Sequence, residues 1–401
     1  MIAKNMLALG TNRSVIRDLF EYGNQRAKEI GRENIYDFSL GNPSVPAPKE
    51  VENAIRAILD EEDPVAIHGY TSACGSEEAR KAIAQDLNQR YHTCYSADEL
   101  YLTCGAAASL ISVLRALMTP ETPEIICAAP FFPEYRCFVE ANGGQFRTIP
   151  AQEGDFQIDF QQLENALSEK TTAFLINTPN NPSGAVYSEE TLRTLAELLE
   201  NKGREYHHPI YLISDEPYRE LTYEGTAPFP ASFYRNTVIC YSYSKSLSLP
   251  GERIGYVLVP KEADSGEALL GAVAGAARAS GYVCAPSLMQ KVIAHCAEVR
   301  PNLEEYRKNR DLLYRELTQI GYQCVYPKGA FYLFVKAPNG DGNAFSELAK
   351  KFDLLLVPGE SFGCKNYLRI SYCVSHDMIQ RSIPAFRAAF EKAQSEAQPV
   401  T

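Results

Sequence analysis

Tyr241-Ser-Tyr-Ser-Lys-Ser-Leu-Ser-Leu-Pro-Gly-Glu-Arg-Ile-Gly-Tyr256 places a lysine, Lys245, among small hydroxylic residues, with Arg253 further along the same stretch. A short β-type run, 237–240, leads into it. A lysine is an ordinary solvated cation unless burial or a second cation lowers its pKa, and it then becomes a nucleophile toward aldehydes. Ser242, Ser244 and Arg253 read as an anion cradle beside that amine. Taken by itself the stretch also reads as an exposed Ser-rich loop, so the surrounding chain has to decide.

Outward from this stretch, helical patterns at 50–59, 76–91, 106–118, 133–141, 160–167 and 188–201 alternate with short apolar runs at 100–102, 124–128, 173–177, 210–214, 238–241 and 254–259. Such alternation signals βαβ units, hence an α/β fold with a mostly parallel central sheet and helices on both faces. Ligands of these sheets sit at the carboxyl ends of the strands, which is where the candidate motifs fall. Beyond 299 the pattern changes to a helix at 301–320, apolar runs at 330–335, 354–357 and 367–371, and a last helix at 375–395. That predicts a smaller, discontinuous α+β domain built from 299–401 with the N-terminal segment 1–48, around a large domain at 49–298. Within the N-terminal segment, 14–30 reads as an amphipathic helix with Ser14 as N-cap and Gly31 as stop. The Pro-punctuated stretch 36–48 reads as an extended crossing between the domains.

Composition narrows the function. The 401 residues are 45% hydrophobic and 22% charged, ordinary for a globular protein, with a net charge of -11. No concentrated basic face is visible, which argues against nucleic acid. Eleven scattered cysteines without a Cys-x-x-Cys pair, and an N-terminus without an apolar signal region, predict reduced thiols and a cytoplasmic location. No apolar run is long enough for a bilayer. The six histidines, among them the adjacent pair His207 and His208, show no metal-ligand spacing, so no metal is expected.

The chemistry-bearing motifs follow the apolar runs. Tyr211-Leu-Ile-Ser-Asp-Glu-Pro-Tyr218 ends a strand in Asp215, an anion suited to keeping a pyridine ring cationic, with Tyr218 in reach of the ring's oxygen or of the lysine. Asn177-Thr-Pro-Asn-Asn-Pro-Ser-Gly184 fixes an extended turn that presents Asn181 as a donor. Leu102-Thr-Cys-Gly-Ala-Ala-Ala-Ser-Leu110 runs from strand through Gly105 into a helix whose first amides, at Gly105, Ala106 and Ala107, make a phosphate seat. An amine that condenses with an aldehyde beside a phosphate site points to pyridoxal 5'-phosphate as cofactor. Phe132, in Pro130-Phe-Phe-Pro-Glu-Tyr135, is a flat face for the ring or a core side chain. Arg369, a cation inside the apolar run Tyr367-Leu-Arg-Ile-Ser371, needs a carboxylate from the protein or from a ligand. Bidentate Arg–carboxylate pairing suits an amino acid's α-carboxylate.

Lys245 in Ser-x-Ser-Lys, Arg253 in Gly-x-Arg-x-Gly-Tyr, Asp215 with Tyr218, Asn181 in Asn-Pro-x-Gly and Arg369 in Leu-Arg-Ile-Ser occur in an order that resembles the class I/II aminotransferases of the aspartate aminotransferase superfamily, fold type I. The resemblance spans essentially the whole chain. It implies that Lys245 holds the cofactor and shuttles the substrate proton, with Asp215 against the ring nitrogen and Asn181 and Tyr218 against the ring oxygen. Ser242, Ser244, Arg253, Ala106 and Ala107 would hold phosphate, Phe132 would cover the ring, and Arg369 with the Gly41 amide would hold the substrate carboxylate. It also implies a homodimer in which Tyr70, five positions before Gly75, reaches the neighbouring phosphate. Two departures stand out. Phe132 takes the place where the aspartate enzymes often carry Trp, and Ala107 replaces a side chain able to bond phosphate.

The resulting expectation is amino transfer between an α-amino acid and a 2-oxo acid, in amino acid metabolism and biosynthesis. It leans to aspartate or glutamate, with Arg278 as the candidate for the second carboxylate. Aromatic or broad donors, and a Cys-S β-lyase on the same scaffold, are the alternatives. A nicotinamide dehydrogenase is disfavoured because no Gly-x-Gly-x-x-Gly follows an early strand.

Overall fold

In the computed structural model, which describes residues 2–11 and 15–397, the alternating runs of the middle of the chain assemble into one seven-stranded sheet. In chain order the strands are β1 (Tyr36–Asp37), β2 (Leu100–Thr103), β3 (Glu124–Ala129), β4 (Gln145–Pro150), β5 (Thr171–Asn177), β6 (Tyr211–Asp215) and β7 (Thr237–Ser242). They continue with β8 (Gly255–Leu258), β9 (Gln323–Val325), β10 (Tyr332–Lys336), β11 (Leu354–Leu355), β12 (Val357–Pro358) and β13 (Tyr367–Ser371). The large sheet has the order β2-β8-β7-β6-β5-β3-β4. All its neighbours pair in parallel except β8, which runs antiparallel to both β2 and β7.

Every residue of β2, β3, β5, β6, β7 and β8 is buried, as expected of strands covered on both faces. Alternate side chains go to opposite layers. Ile125, Ile213 and Val257 pack with Leu110, Val113 and Val273 of helices Ala106–Leu117 and Gly266–Ala279. Ile126, Phe174 and Leu212 pack instead with Leu163, Leu195 and Leu199 of helices Phe160–Ala166 and Glu189–Tyr206. Each fully buried Leu or Ile contributes roughly 1.5–3 kcal/mol, so the two layers hold the sheet rigid beneath its loops. Strand β4, at the sheet's edge, exposes most of its residues and carries no apolar run, which explains why the sequence did not announce it.

The remaining strands form two small sheets, β1-β11 and β12-β13-β10-β9. The expected run 354–357 is divided between them: β11 pairs in parallel with β1, whereas β12 pairs antiparallel with β13. The N-terminal segment is thereby stitched to the C-terminal one, and the Ser371 amide also donates to the Phe38 carbonyl at 3.0 Å. Helix Val15–Ile30 stops at Gly31, whose φ of 89° suits glycine; the expected cap, Ser14, lies outside the described residues. Helix Lys4–Thr11, which no periodicity predicted, buries none of its side chains.

Candidate active site

Parallel register puts the ends of three strands side by side. Asn177 at the end of β5 stands opposite Asp215 at the end of β6, and Asp215 stands opposite Cys240 in β7, just before Ser242. Antiparallel β8 adds the fourth part: its first residue, Gly255, is paired with both Thr103 of β2 and Ser242 of β7. Arg253 therefore enters between the serines and the helix that begins after Gly105. A cavity of about 320 Å³ opens at these strand ends. Lys245, Asp215, Tyr218, Asn181, Ser242, Ser244, Arg253, Ala106, Ala107, Phe132, Arg369 and Gly41 all line it.

Lys245 rises from a short helix, Tyr243–Ser246, capped by the Ser242 hydroxyl, which accepts from the Ser244 amide. Its Nζ donates to the Gly41 carbonyl oxygen at 2.8 Å. The Gly41 amide expected at this position is thus accompanied by a carbonyl that faces the lysine. Burial lowers the Lys245 pKa to about 8; the Cys373 thiol opposes this, and the Arg369 and Arg253 cations add to it. Behind the helix, Tyr241 donates to Glu220 at 2.7 Å and meets Ser246 at 2.8 Å, while Glu220 is paired with Arg90 at 2.8 Å.

Asp215 is buried, and its Oδ2 accepts from Tyr135 Oη at 2.5 Å. Its Oδ1 has no hydrogen-bond partner among the described residues. Burial pushes the carboxyl up to about 7; Tyr135 opposes and neighbouring Glu216 adds. A buried acceptor without a partner is costly, and a cationic N–H arriving in the cavity removes that cost.

At the opposite end the two serine hydroxyls lie 2.7 Å apart. Arg253 is held by the carbonyls of Pro250 at 2.9 Å and Cys104 at 3.1 Å, with Ser244 Oγ at 3.5 Å. Gly105, at φ 85°, lets the guanidinium lie against its Cα: a Cβ there would sit 2.6 Å from Arg253 Nη2. First-turn amides of a helix lack intrahelical acceptors, so Ala106 and Ala107 offer N–H groups to the same spot. Cation, hydroxyls and amides together suit a phosphate, and the orphaned Asp215 oxygen suits a protonated pyridine. The residues present fit pyridoxal phosphate.

Arg369 is 2% exposed and pairs with no carboxylate among the described residues. Its Nη1 donates to Asn181 Oδ1 at 3.2 Å, its Nη2 donates to the Ser39 carbonyl, and its Nε has no partner among the described residues. With its oxygen engaged by Arg369, Asn181 keeps its NH2 as the donor side. Phe132 lines the cavity and also packs on the layer beneath it, edge-to-face with Tyr135 at 5.6 Å.

Two expected residues lie elsewhere. Tyr70 is fully exposed and does not line the cavity of its own chain, and Arg278 lies on an exposed turn near the end of helix Gly266–Ala279. Several lining residues had not been singled out, among them Ile16, Phe138 and Tyr332; Tyr135, the partner of Asp215, had not been either. An aromatic residue inside a helix or strand pattern reads as core, so only Tyr135, close to the Phe132 motif, had a signal to follow.

Residues 33–386 match the family described as aminotransferase class I and II. A probable aspartate/prephenate aminotransferase of Aquifex aeolicus is 31% identical over 386 residues, spanning 92% of this chain and 94% of its own. A probable aspartate aminotransferase of Methanocaldococcus jannaschii is 28% identical over 391 residues, with 94% and 97% covered. Among solved structures, an amino transferase from Eubacterium rectale superposes with a TM-score of 0.95 at 53% identity, over 98% of this chain and 99% of that one. The aspartate aminotransferase of Thermotoga maritima gives 0.85 at 27%, over 97% and 100%. With a fold type I architecture, a cavity suited to the cofactor and a family match over most of its length, the chain belongs to the class I and II aminotransferases, pyridoxal-phosphate-dependent enzymes that pass amino groups between amino acids and 2-oxo acids.

Proposed function

We propose that Lys245, Asp215, Asn181, Tyr218 and Arg369 carry this transfer, with aspartate or glutamate as amino donor. The observation that carries the reading is the pairing within one cavity of a half-buried amine and a buried carboxylate with a free oxygen, Asp215 Oδ1. Bound there, the cofactor supplies an aldehyde for the amine and a cationic ring that draws electrons from the substrate Cα–H bond. Asp215 would hold the ring nitrogen protonated, and Tyr218 and Asn181 would donate to the ring oxygen. Ser242, Ser244, Arg253 and the amides after Gly105 would hold the phosphate. Arg369, helped by Gly41, fixes the substrate carboxylate so that the Cα proton points at Lys245 Nζ, which takes it as general base. A lysine with a pKa of about 8 is neutral often enough near pH 8 to do so.

The donor assignment is supported by relatives named for aspartate. A second reading has its own observation: Ile16, Phe132 and Phe138 give the cavity an apolar wall, and among the described residues Lys245, Arg253 and Arg369 are the only Lys or Arg that line it. That wall suits an aromatic donor. Steady-state kcat/KM for aspartate, glutamate and phenylalanine with a common oxo acid decides between them; we expect the dicarboxylates to exceed phenylalanine by tenfold or more, and the reverse order transfers the assignment to aromatic donors.

The same reading includes a homodimer, a cytoplasmic role in amino acid biosynthesis, and a division into 49–298 and the joined 1–48 and 299–401. The stitching of β1 to β11 supports the division, and distinct hydrogen-exchange protection of the two bodies tests it. Unpaired thiols at all eleven cysteines suit a reducing compartment, and no helix among the described residues is long and apolar enough to cross a membrane. Cell fractionation tests the location.

A further inference from the structure

Tyr332 begins strand β10 and is buried at the floor of the cavity, where its side chain meets three parts of the site. Its hydroxyl lies 2.9 Å from the Tyr218 hydroxyl, the rings being edge-to-face at 5.7 Å. The Arg369 guanidinium stacks over its ring at 4.7 Å. The hydroxyl also presses on the Gly41 Cα, since a Cβ at Gly41 would collide with it, and Gly41 is the residue whose carbonyl receives Lys245. Backbone register explains the convergence: in the antiparallel pair β10–β13, Tyr332 stands opposite Ser371, two residues from Arg369.

Both phenols are held above their ordinary pKa, Tyr218 well above it and Tyr332 at about 12, in each case chiefly by burial. The ionisable groups facing the pair are Arg369 and Cys373, from β13 and just after it, and Asp215 from the end of β6. Two neutral phenols share one hydrogen bond and have one O–H left over. The Tyr332 hydroxyl has no other acceptor among the described residues and is shut against Gly41. If it donates to Tyr218 Oη, the Tyr218 proton is free to be donated into the cavity.

We propose that Tyr332 is a positioning residue for the transfer: its hydroxyl donates to Tyr218 and so directs the Tyr218 O–H at the cofactor's ring oxygen, while its ring supports Arg369 for the substrate carboxylate. This rests on the roles given to Tyr218 and Arg369 above. One side chain thus ties the group that tunes the cofactor to the group that grips the substrate. A donated hydrogen bond makes the Tyr218 phenol a stronger donor, and chains of hydrogen bonds reinforce one another.

The test uses the pyridoxal-phosphate-loaded enzyme and reads the pH midpoint of its visible absorbance in wild type, Tyr332→Phe, Tyr218→Phe and the double variant. We expect Tyr332→Phe to move the midpoint in the same direction as Tyr218→Phe, by about half a pH unit, and the double variant to match Tyr218→Phe alone, because residues that act through one hydrogen bond are not additive. A shift in Tyr218→Phe with none in Tyr332→Phe, or additive shifts, overturns the inference and leaves the Tyr218 assignment standing. No shift in Tyr218→Phe overturns both. A second readout is the dissociation constant of succinate and of 3-phenylpropionate. Tyr332→Phe, which keeps the ring, should bind them within about twofold of wild type, and Tyr332→Leu should bind them about fivefold more weakly or worse, the range expected for a desolvated cation–π contact. Equal affinity in Tyr332→Leu and wild type overturns the support given to Arg369.

Discussion

A carboxylate buried as Asp215 is buried weakens the fold whenever it is charged. Its folded pKa of about 7 lies above the ordinary aspartate value, so between about pH 4 and 7 the folded chain holds the proton that the unfolded chain has released. The cofactor-free protein should therefore lose stability as pH rises through that window, by on the order of 4 kcal/mol at most, with the penalty fully present above pH 7. We expect Asp215→Asn to flatten this dependence in denaturant titrations at pH 5 and 8, yet to lower transamination by two orders of magnitude or more, because the ring cation loses its partner. A cofactor-free Asp215→Asn protein with the wild-type pH dependence would remove Asp215 as its source. Lys245, Asp215, Asn181 and Arg369 were legible because each breaks its local pattern: a charge or amide at the end of an apolar run, or a cation within one. Tyr135 and Tyr332 break no pattern, and their importance is visible only through the atoms they touch, Asp215 Oδ2 and the Tyr218 hydroxyl.

Among the elements, β8 has a consequence that no periodicity conveys. An apolar run has no direction, so 254–259 was readable as a strand but not as the antiparallel one that sits between β2 and β7. That insertion brings Arg253 against Gly105 and joins the serine turn to the helix Ala106–Leu117. Gly105→Ala should act on this junction: the new Cβ displaces the Arg253 guanidinium, and φ 85° strains a residue with a side chain. We expect about tenfold weaker cofactor binding by fluorescence titration, with a stability loss of about 1–2 kcal/mol. Unchanged cofactor affinity would separate Gly105 from the phosphate seat. Helices were legible to within a few residues where an apolar stripe faces the sheet, as in Glu77–Tyr91 capped by Ser76. Lys4–Thr11, which buries no side chain, was not legible, and neither were Gly266–Ala279 and Ser287–Cys296, although both bury apolar side chains.

For the molecule as a whole, the chain leaves conspicuous side chains without a place within itself. Tyr70 is fully exposed, and Met6, Leu7 and Leu9 of the first helix are exposed as well. A second copy would bury such groups, in keeping with the proposed homodimer. If Tyr70 serves the neighbouring site, mixing the weakly active Tyr70→Ala protein with inactive Lys245→Ala should regenerate some sites of wild-type make-up and raise activity above the sum of the parents. Activity equal to that sum would return Tyr70 to its own chain. The division of the middle and end of the chain into a large sheet and small ones could be read in advance; the surface that meets a partner could not, because exposure is a property of the assembled fold. The most direct measurement is to reduce the cofactor-loaded enzyme with borohydride, digest it and locate the pyridoxyl group by mass spectrometry, alongside turnover of Lys245→Ala. We expect the group on Lys245 Nζ alone and the loss of essentially all transamination in the variant; a pyridoxyl group on another lysine, or near wild-type turnover without Lys245, would contradict the site described here.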